Sequence, residues 1–193
     1  MVGECGTNMA VAANKLRKPR PPLDAAKLEE LAISYVGRFA TSRARLKTYL
    51  LRKARERGWA GDGEPPVDAL ADRLTQLGYV DDRAFALAKA RSLSARGYGR
   101  GRVRQALTQA GIAEENSTDA NDLAAAEAYD AALRFARRRS MGPFAANKPD
   151  PQARERAIAA MIRAGHDFRM ARAIIDLGPG EFPDCEEPSN VPF

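Results

Sequence analysis

Aromatic residues are scarce in this chain of 193 residues and make up only 7% of it. Many of its apolar residues are alanine, which suits close helix packing better than strands, because strands prefer β-branched and aromatic side chains. No segment approaches the roughly 20 apolar residues that span a bilayer, and the N-terminus does not resemble a signal peptide. We therefore expect a cytoplasmic protein that makes no membrane contact.

Residues that support catalysis or metal binding are equally few. The two cysteines, Cys5 and Cys185, lie near opposite ends of the chain, which argues against a disulfide framework or a metal site. His166 is the single histidine, and we expect a solvated or capping role for it at a turn between two short helices. The glycines of 97–101 follow a predicted helix and lack the Lys-Ser/Thr of a phosphate-binding loop. We predict a non-enzymatic protein without a metal or cofactor.

The charge of the chain is positive and unevenly spread. The net charge is +6, with basic blocks at 24–60 and 81–111 separated by acidic connectors at 61–80 and 112–125. The last 16 residues carry four acids and no base. A surface of alternating blocks with a basic majority is typical of proteins that bind polyanions or acidic partners.

Three parts of the chain differ in composition. Residues 1–23 end in Lys-Pro-Arg-Pro-Pro and lack periodicity, so we predict a disordered basic arm. Residues 178–193 are predicted to be an acidic, proline-rich tail. Between them, 24–177 reads as short amphipathic helices without strands.

Most of these helices have a clear apolar stripe, but three expectations depend on weaker patterns. The first helix is predicted near 24–39 with Phe39 in its stripe. The fourth is predicted to pack through Phe85, Ala88, Ser92 and Ala95. The polar segment 113–121 is predicted to be an acidic loop that leads to a long helix near 121–139.

Part of the sequence repeats. Arg102-x4-Leu107-x3-Gly111 has the same spacing as Arg156-x4-Met161-x3-Gly165, and a weaker copy begins at Leu46. Such repetition predicts tandem helical units, each too small to bury its apolar stripe alone. The expected fold is therefore all-α, a series of tandem helical repeats that forms an elongated, curved array.

The basic clusters are the candidate binding residues. The segment 84–108 contains no acid, and arginine presents a planar set of donors suited to phosphate or carboxylate. Of Tyr79, Phe85, Tyr98 and Trp59, Tyr98 is expected to be the exposed one, whereas Tyr79 and Phe85 are expected to pack between units. The candidates are Lys89, Arg91, Arg96, Tyr98, Arg100, Arg102 and Arg104, with a second group at Arg43, Arg45 and Lys47. A third basic run lies at Arg137, Arg138 and Arg139.

The block Leu77-Gly78-Tyr79-Val80-Asp81-Asp82, followed by Phe85-Ala86, a basic stretch, Gly97-Tyr98-Gly99 and Arg102-Val103-Arg104-Gln105, resembles the signature of the RecX family. The match covers about 35 contiguous residues at the correct spacing, and weaker likeness extends over most of 28–177. The family has three-helix repeats, with a short helix between the second and third units that we expect to be lost or fused here. The resemblance implies a regulator that binds the RecA recombinase filament on single-stranded DNA and inhibits it. We expect the protein to be a monomer.

An alternative remains open from the residues alone. The predicted helices 82–95 and 100–110 could form a helix-turn-helix pair that binds duplex DNA. Recognition of DNA bases by such a pair usually involves Asn or Gln as well as Arg. Only Gln105 and Gln109 are available on the second helix.

Overall fold

The computed structural model describes residues 21–181, and its regular structure over that range is helical apart from a single bridge between two residues. Nine α-helices within these residues follow one another in three groups of three. Unit 1 comprises α1 (Ala25–Val36), α2 (Arg43–Arg57) and α3 (Val67–Gln76); unit 2 comprises α4 (Asp82–Ala95), α5 (Arg100–Gln109) and α6 (Glu114–Ala126); unit 3 comprises α7 (Ala128–Arg138), α8 (Pro151–Arg163) and α9 (Phe168–Asp176). A 3-10 turn, Gly142–Phe144, lies between α7 and α8. The predicted all-α array of three-helix repeats is confirmed.

Each unit has its own hydrophobic core. Large aliphatic residues fill the core of unit 1, including Leu28, Leu46, Leu50 and Leu74. The core of unit 2 depends on small residues, including Ala86, Ala90, Ala120 and Ala124, around Val103 and Leu107. The core of unit 3 contains Phe135, Met161, Ile174 and Ile175. None of the helices described in 21–181 combines the length and apolarity that crossing a membrane requires.

The predicted packing face of α4 is wrong. Ala88, Ser92 and Ala95 are exposed, whereas the buried residues of α4 are Ala86, Ala90, Leu93 and Ser94. This helix packs against α6 through alanines on both sides. Small side chains allow the two backbones to approach closely, but they give a weak apolar contrast, so the sequence pattern does not identify the buried face.

The predicted acidic loop at 113–121 is also wrong. It is the first part of α6, which buries Ser117, Ala120 and Ala124, and α7 follows after Glu127 alone. Glu114 and Glu115 occupy the first turn, where negative charge stabilises a helix. The short helix before unit 3 is therefore present, and what was predicted as one long helix is two.

The N-terminal boundary of the folded region lies earlier than predicted. Leu23 was assigned to the disordered arm, but it is fully buried in the core of unit 1. Its N–H donates to the Gly58 carbonyl at 2.9 Å, and its carbonyl accepts from the Ala60 N–H at 2.8 Å. The rest of the arm, and the tail beyond residue 181, lie outside the described residues.

Three large apolar residues at the ends of helices are exposed. Phe39 was predicted to lie in the apolar stripe of the first helix, but its exposed fraction is 57%, and those of Leu77 and Phe168 are 62% and 55%. Phe39 and Leu77 follow the last residues of α1 and α3, and Phe168 is the first residue of α9. Helical spacing does not predict burial at these positions, because the backbone beyond or at a helix end no longer follows regular helical geometry.

The middle helices of neighbouring units meet end to end. Ser42, the N-cap of α2, donates through its hydroxyl to the carbonyl of Ala110, the C-cap of α5, at 2.5 Å. Gly99, the N-cap of α5, donates through its N–H to the carbonyl of Ala164, the C-cap of α8, at 3.0 Å. The two junctions therefore use the same register, which is the structural counterpart of the sequence repeat.

Candidate partner-binding surface

Two adjacent aspartates cap helices of two different units, which is the usual role of such pairs at the start of a helix. Asp81 accepts from the Ala84 N–H at 2.9 Å and caps its own helix, α4. Asp82 accepts from the Arg43 N–H at 2.8 Å and so caps α2 of unit 1. No group of three or more potential metal ligands occurs among His, Cys, Asp and Glu in residues 21–181.

The glycines of the segment 97–101 allow units 2 and 3 to come into backbone contact. Gly99 has an ordinary φ, but a Cβ there would overlap the backbone of Gly165. Gly97 has φ +78°, and a Cβ would lie 2.8 Å from the backbone nitrogen of Phe135. These glycines therefore form a close junction instead of a phosphate-binding loop.

Tyr98 lies at this junction and does not project freely into solvent. Its side chain is partly buried and packs against the cores of both unit 2 and unit 3. The exposed tyrosine is Tyr79, with 58% of its surface accessible, so the two predictions for these tyrosines are both wrong. Because Gly97 and Gly99 let this turn approach the backbone of unit 3 closely, the Tyr98 side chain between them is partly buried against unit 3.

Three arginines from two units surround the Tyr98 ring. The guanidinium carbons of Arg96, Arg138 and Arg102 lie 5.6, 5.8 and 6.0 Å from the ring centroid. Arg138 also donates to the carbonyl of Arg96, which joins α7 to the end of α4. We call these four residues the Tyr98 cluster. Its arginines lie within about 12 Å of one another and repel, so a bound anion is favoured there.

The second predicted basic group differs because acids of α3 neutralise it. The Nε of Arg43 donates to Asp72 at 2.6 Å, and the ammonium of Lys47 pairs with Asp68. The pKa of the Asp68 carboxyl is lowered, chiefly by its hydrogen bond with Lys47. By contrast, the arginines of the Tyr98 cluster have no ion pair to a carboxylate within the described part of the chain. The structure therefore leaves positive charge available at the Tyr98 cluster and removes much of it at Arg43 and Lys47.

The remaining predicted residues lie around these two groups. Arg45 stacks on Phe85 across the junction of units 1 and 2, with its guanidinium carbon 5.6 Å from the ring centroid. Arg100 and Arg104 are exposed one turn apart on α5, while Lys89 and Arg91 lie on α4. Arg102 is two residues from both Arg100 and Arg104, so it projects from a different side of α5. The sequence cluster is thus divided between the Tyr98 cluster and the outer face of α5.

His166 is buried at the same junction, which excludes the solvated one of the two roles predicted for it. Only 5% of its surface is exposed, its Nε2 lies 3.1 Å from the Gly97 carbonyl, and its ring centroid is 5.5 Å from that of Phe135. The Nδ1 atom is buried and has no hydrogen-bond partner among residues 21–181. Burial lowers the pKa of the imidazole, and the bond to Gly97 opposes that effect.

Sequence reasoning named His166 and Arg138 but did not place either at the junction of units 2 and 3, for different reasons. The repeat could have located His166, because it follows Gly165 as Ile112 follows Gly111, and Ile112 packs against the core of unit 2. Arg138 gave no such signal. It belongs to a run of three arginines, and only the three-dimensional structure selects the one that reaches the Tyr98 ring.

Comparisons with known proteins agree on one family. Residues 81–120 match the family description "RecX, second three-helix domain". The chain is 33% identical over 180 residues to the regulatory protein RecX of Myxococcus xanthus (strain DK1622), covering 86% of this chain and 94% of that protein. It is 30% identical over 147 residues to the regulatory protein RecX of Agrobacterium fabrum, covering 72% and 76% of the two chains.

Solved structures share the fold. The crystal structure of RecX from Lactobacillus salivarius superposes with a TM-score of 0.56 at 16% identity, covering 78% of this chain and 94% of that one. A second crystal structure of a regulatory protein RecX gives a TM-score of 0.55 at 22% identity, covering 79% and 71%. With a relative one-third identical over nearly its whole length, the chain belongs to the RecX family.

Proposed function

We propose that this chain is a non-enzymatic, cytoplasmic regulator that binds, as a monomer, the filament that RecA forms on single-stranded DNA. Binding inhibits the ATPase activity of the filament, its growth and its strand exchange. Family membership supports a regulatory role, and the Tyr98 cluster is the observation that supports the mode of binding. Three arginines without acidic partners form a surface suited to the acidic groups of a protein–DNA filament.

The arginines of the Tyr98 cluster come from two units, which suits a long partner. Arg96 and Arg102 belong to unit 2, and Arg138 belongs to unit 3. A partner that contacts all three must lie across the junction and not on one helix. We therefore propose that the outer residues Arg100, Arg104, Lys89, Arg91 and Arg45 extend the same contact along the array.

The first experiment measures ATP turnover by the recombinase of the same organism on single-stranded DNA. Wild-type protein should reduce turnover. The variant Arg96→Gln, Arg102→Gln, Arg138→Gln should require on the order of 100-fold more protein, if each charged contact contributes about 1 kcal/mol or slightly more. The three side chains are exposed but also contact the junction of units 2 and 3, so the melting temperature of the variant is compared with that of the wild type.

A matched control removes three arginines elsewhere. Arg38, Arg52 and Arg55 are exposed on unit 1, and their replacement by glutamine removes the same total charge. This control should inhibit as the wild type does. Full inhibition by the Tyr98-cluster variant would show that another surface binds the filament.

The helix-turn-helix alternative has an obstacle in the geometry. Such proteins present the N-terminal residues of the recognition helix to base edges. Here α5 would be that helix, but Gly99 and Gly101 at its start donate to the carbonyls of Ala164 and Gly165, at 3.0 Å each. Unit 3 therefore covers part of the surface that duplex DNA would need.

A binding measurement on naked DNA separates the two functions. We expect weak binding with little sequence preference, with a Kd on the order of 10⁻⁴ to 10⁻⁶ M at physiological salt, and weaker binding as salt rises. A helix-turn-helix protein would prefer one duplex site by roughly 10³-fold or more. Such a preference would contradict the filament proposal.

A further inference from the structure

Unit 3 contains a pocket with three arginines on its wall. Its volume is about 520 Å³, and it lies between the end of α7, the 3-10 turn and one face of α8. Arg139, Arg156 and Arg163 line it, together with polar residues such as Asn147 and apolar residues such as Ile175. We call it the arginine pocket.

The charges of this pocket have no counter-charge on its wall. None of the residues that line it is acidic. Arg156 and Arg163 are seven residues apart on α8, so they share one face and are separated by about 10 Å along the helix axis. Neither of them pairs with a carboxylate in residues 21–181. The pocket therefore suits a ligand with negative charges spaced by about the same distance.

An acidic segment of the same chain begins beside this pocket. The N–H of Gly180 donates to the Pro143 carbonyl at 2.9 Å, and Pro143 is adjacent to Gly142, a pocket residue. Residues 182–187 are Phe-Pro-Asp-Cys-Glu-Glu. Asp184 is four residues after Gly180, which in extended chain is about 13 Å, and Asp184 and Glu187 can be up to about 10 Å apart.

We propose that the acidic segment 182–187 binds in the arginine pocket of its own chain. Position, reach and charge each favour this segment over a separate molecule, because it is tethered beside the pocket and an intramolecular partner has a high effective concentration. In extended chain, Asp184 and Glu187 can reach the spacing of Arg156 and Arg163. Phe182 and Pro183 supply apolar surface for the alanines that line the pocket.

Such an interaction would shield one basic surface of unit 3 from other polyanions. A nucleic acid or an acidic protein would have to displace the segment before it could contact these arginines. The interaction does not depend on the proposed function, since it involves neither RecA nor the Tyr98 cluster.

The test uses a natural probe site, because Cys185 lies within the acidic segment. A nitroxide attached to Cys185 of the full chain, with Cys5→Ser to make labelling unique, broadens the amide resonances of residues near it. At low salt, we expect the amides of Gly142, Asn147 and Ala153 to lose most of their intensity. The broadening should weaken at 1 M salt, where the Debye length is about 3 Å.

Two variants should weaken the broadening, from opposite sides, to the level seen in the wild type at 1 M salt. One is Arg139→Gln, Arg156→Gln, Arg163→Gln, and the other is Asp184→Asn, Glu186→Gln, Glu187→Gln, which leaves the pocket unchanged and covers the case in which the first variant fails to fold. The control Glu30→Gln, Asp62→Asn, Glu64→Gln removes equal charge from exposed positions and should retain the broadening.

Three results would overturn the proposal. The first is broadening at the pocket in the labelled wild type that is no stronger at low salt than at 1 M salt. The second is broadening at low salt that is as strong in the acidic-segment variant as in the wild type. In the third, a 20-residue oligothymidylate shifts the pocket amides while the label effect stays constant, which would assign the pocket to phosphate groups and not to the segment.

Discussion

At the residue scale, the positions that matter are those where two units touch. Tyr98 was predicted to be exposed and His166 to be solvated or to cap a helix, but Tyr98 is partly buried and His166 is buried at the junction of units 2 and 3. Local sequence could predict the turns from their glycines. It could not predict the burial, because that depends on contacts with a unit more than 30 residues away along the chain.

His166 should make stability depend on pH in a defined direction. Since burial lowers its pKa below 6.5, the unfolded state binds a proton more readily than the folded state. Its contribution is present above pH 6.5 and is lost as the pH falls from there towards the lowered pKa. We expect the free energy of unfolding to decrease more between pH 7.5 and 5.5 in the wild type than in His166→Gln.

Denaturant titration at each pH measures this difference. The comparison is clean because His166 is the only histidine of the chain. If the free energy of unfolding falls equally in the two proteins, groups other than His166 cause the difference in proton binding between the folded and unfolded states.

At the scale of the helices, strong apolar stripes were predicted well and weak ones were not. The stripe of α2, with Leu46, Leu50 and Ala54, is buried as expected. In α4 and α6 the buried residues are mostly alanine and serine, which also occur on exposed faces. In such helices the buried face is decided by the neighbouring helix, so no pattern in one segment can reveal it.

The junction between α5 and α8 gives a prediction at this scale. Gly99→Ala should destabilise the protein by about 1–3 kcal/mol, because the added methyl group overlaps the Gly165 backbone and separates the two helix ends. Chemical denaturation measures the loss, and faster amide exchange at Gly101 would locate it at the junction.

Gly37→Ala serves as the control. Its Cβ would lie 3.2 Å from the Ile33 carbonyl, outside either junction, and we expect a change below about 1 kcal/mol. Equal losses of stability in the two variants would show that the close approach at Gly99 does not add to the cost of replacing a glycine.

At the scale of the whole molecule, the three-unit architecture was predictable because the sequence repeats. The identical spacing around Leu107 and Met161 corresponds to two buried residues in equivalent middle helices. What could not be predicted is which residues outside the repeat complete a unit. Leu23 follows a run rich in proline and basic residues, yet its side chain is enclosed by unit 1.

Leu23 defines how far the chain can be shortened. Removing residues 1–20 and 182–193 should leave the melting temperature nearly unchanged, since the shortened chain keeps the three cores described in 21–181. Leu23→Ala in the full chain should cost about 2–5 kcal/mol, because it leaves a cavity in a closed core. Thermal unfolding of both proteins compares the two effects. A shortened chain that fails to fold would contradict the boundary at residue 21.

The end-to-end meeting of α2, α5 and α8 also has an electrostatic consequence. Each α-helix carries about half a positive charge at its N-terminus and half a negative charge at its C-terminus. Arginines at the start of a helix are therefore unfavourable, yet α5 begins with Arg100 and Arg102 and has no acid in its first turn. The carbonyl end of α8 lies against that turn and supplies the missing negative potential. Unit 3 thus makes it possible for unit 2 to present arginines where an isolated helix would disfavour them.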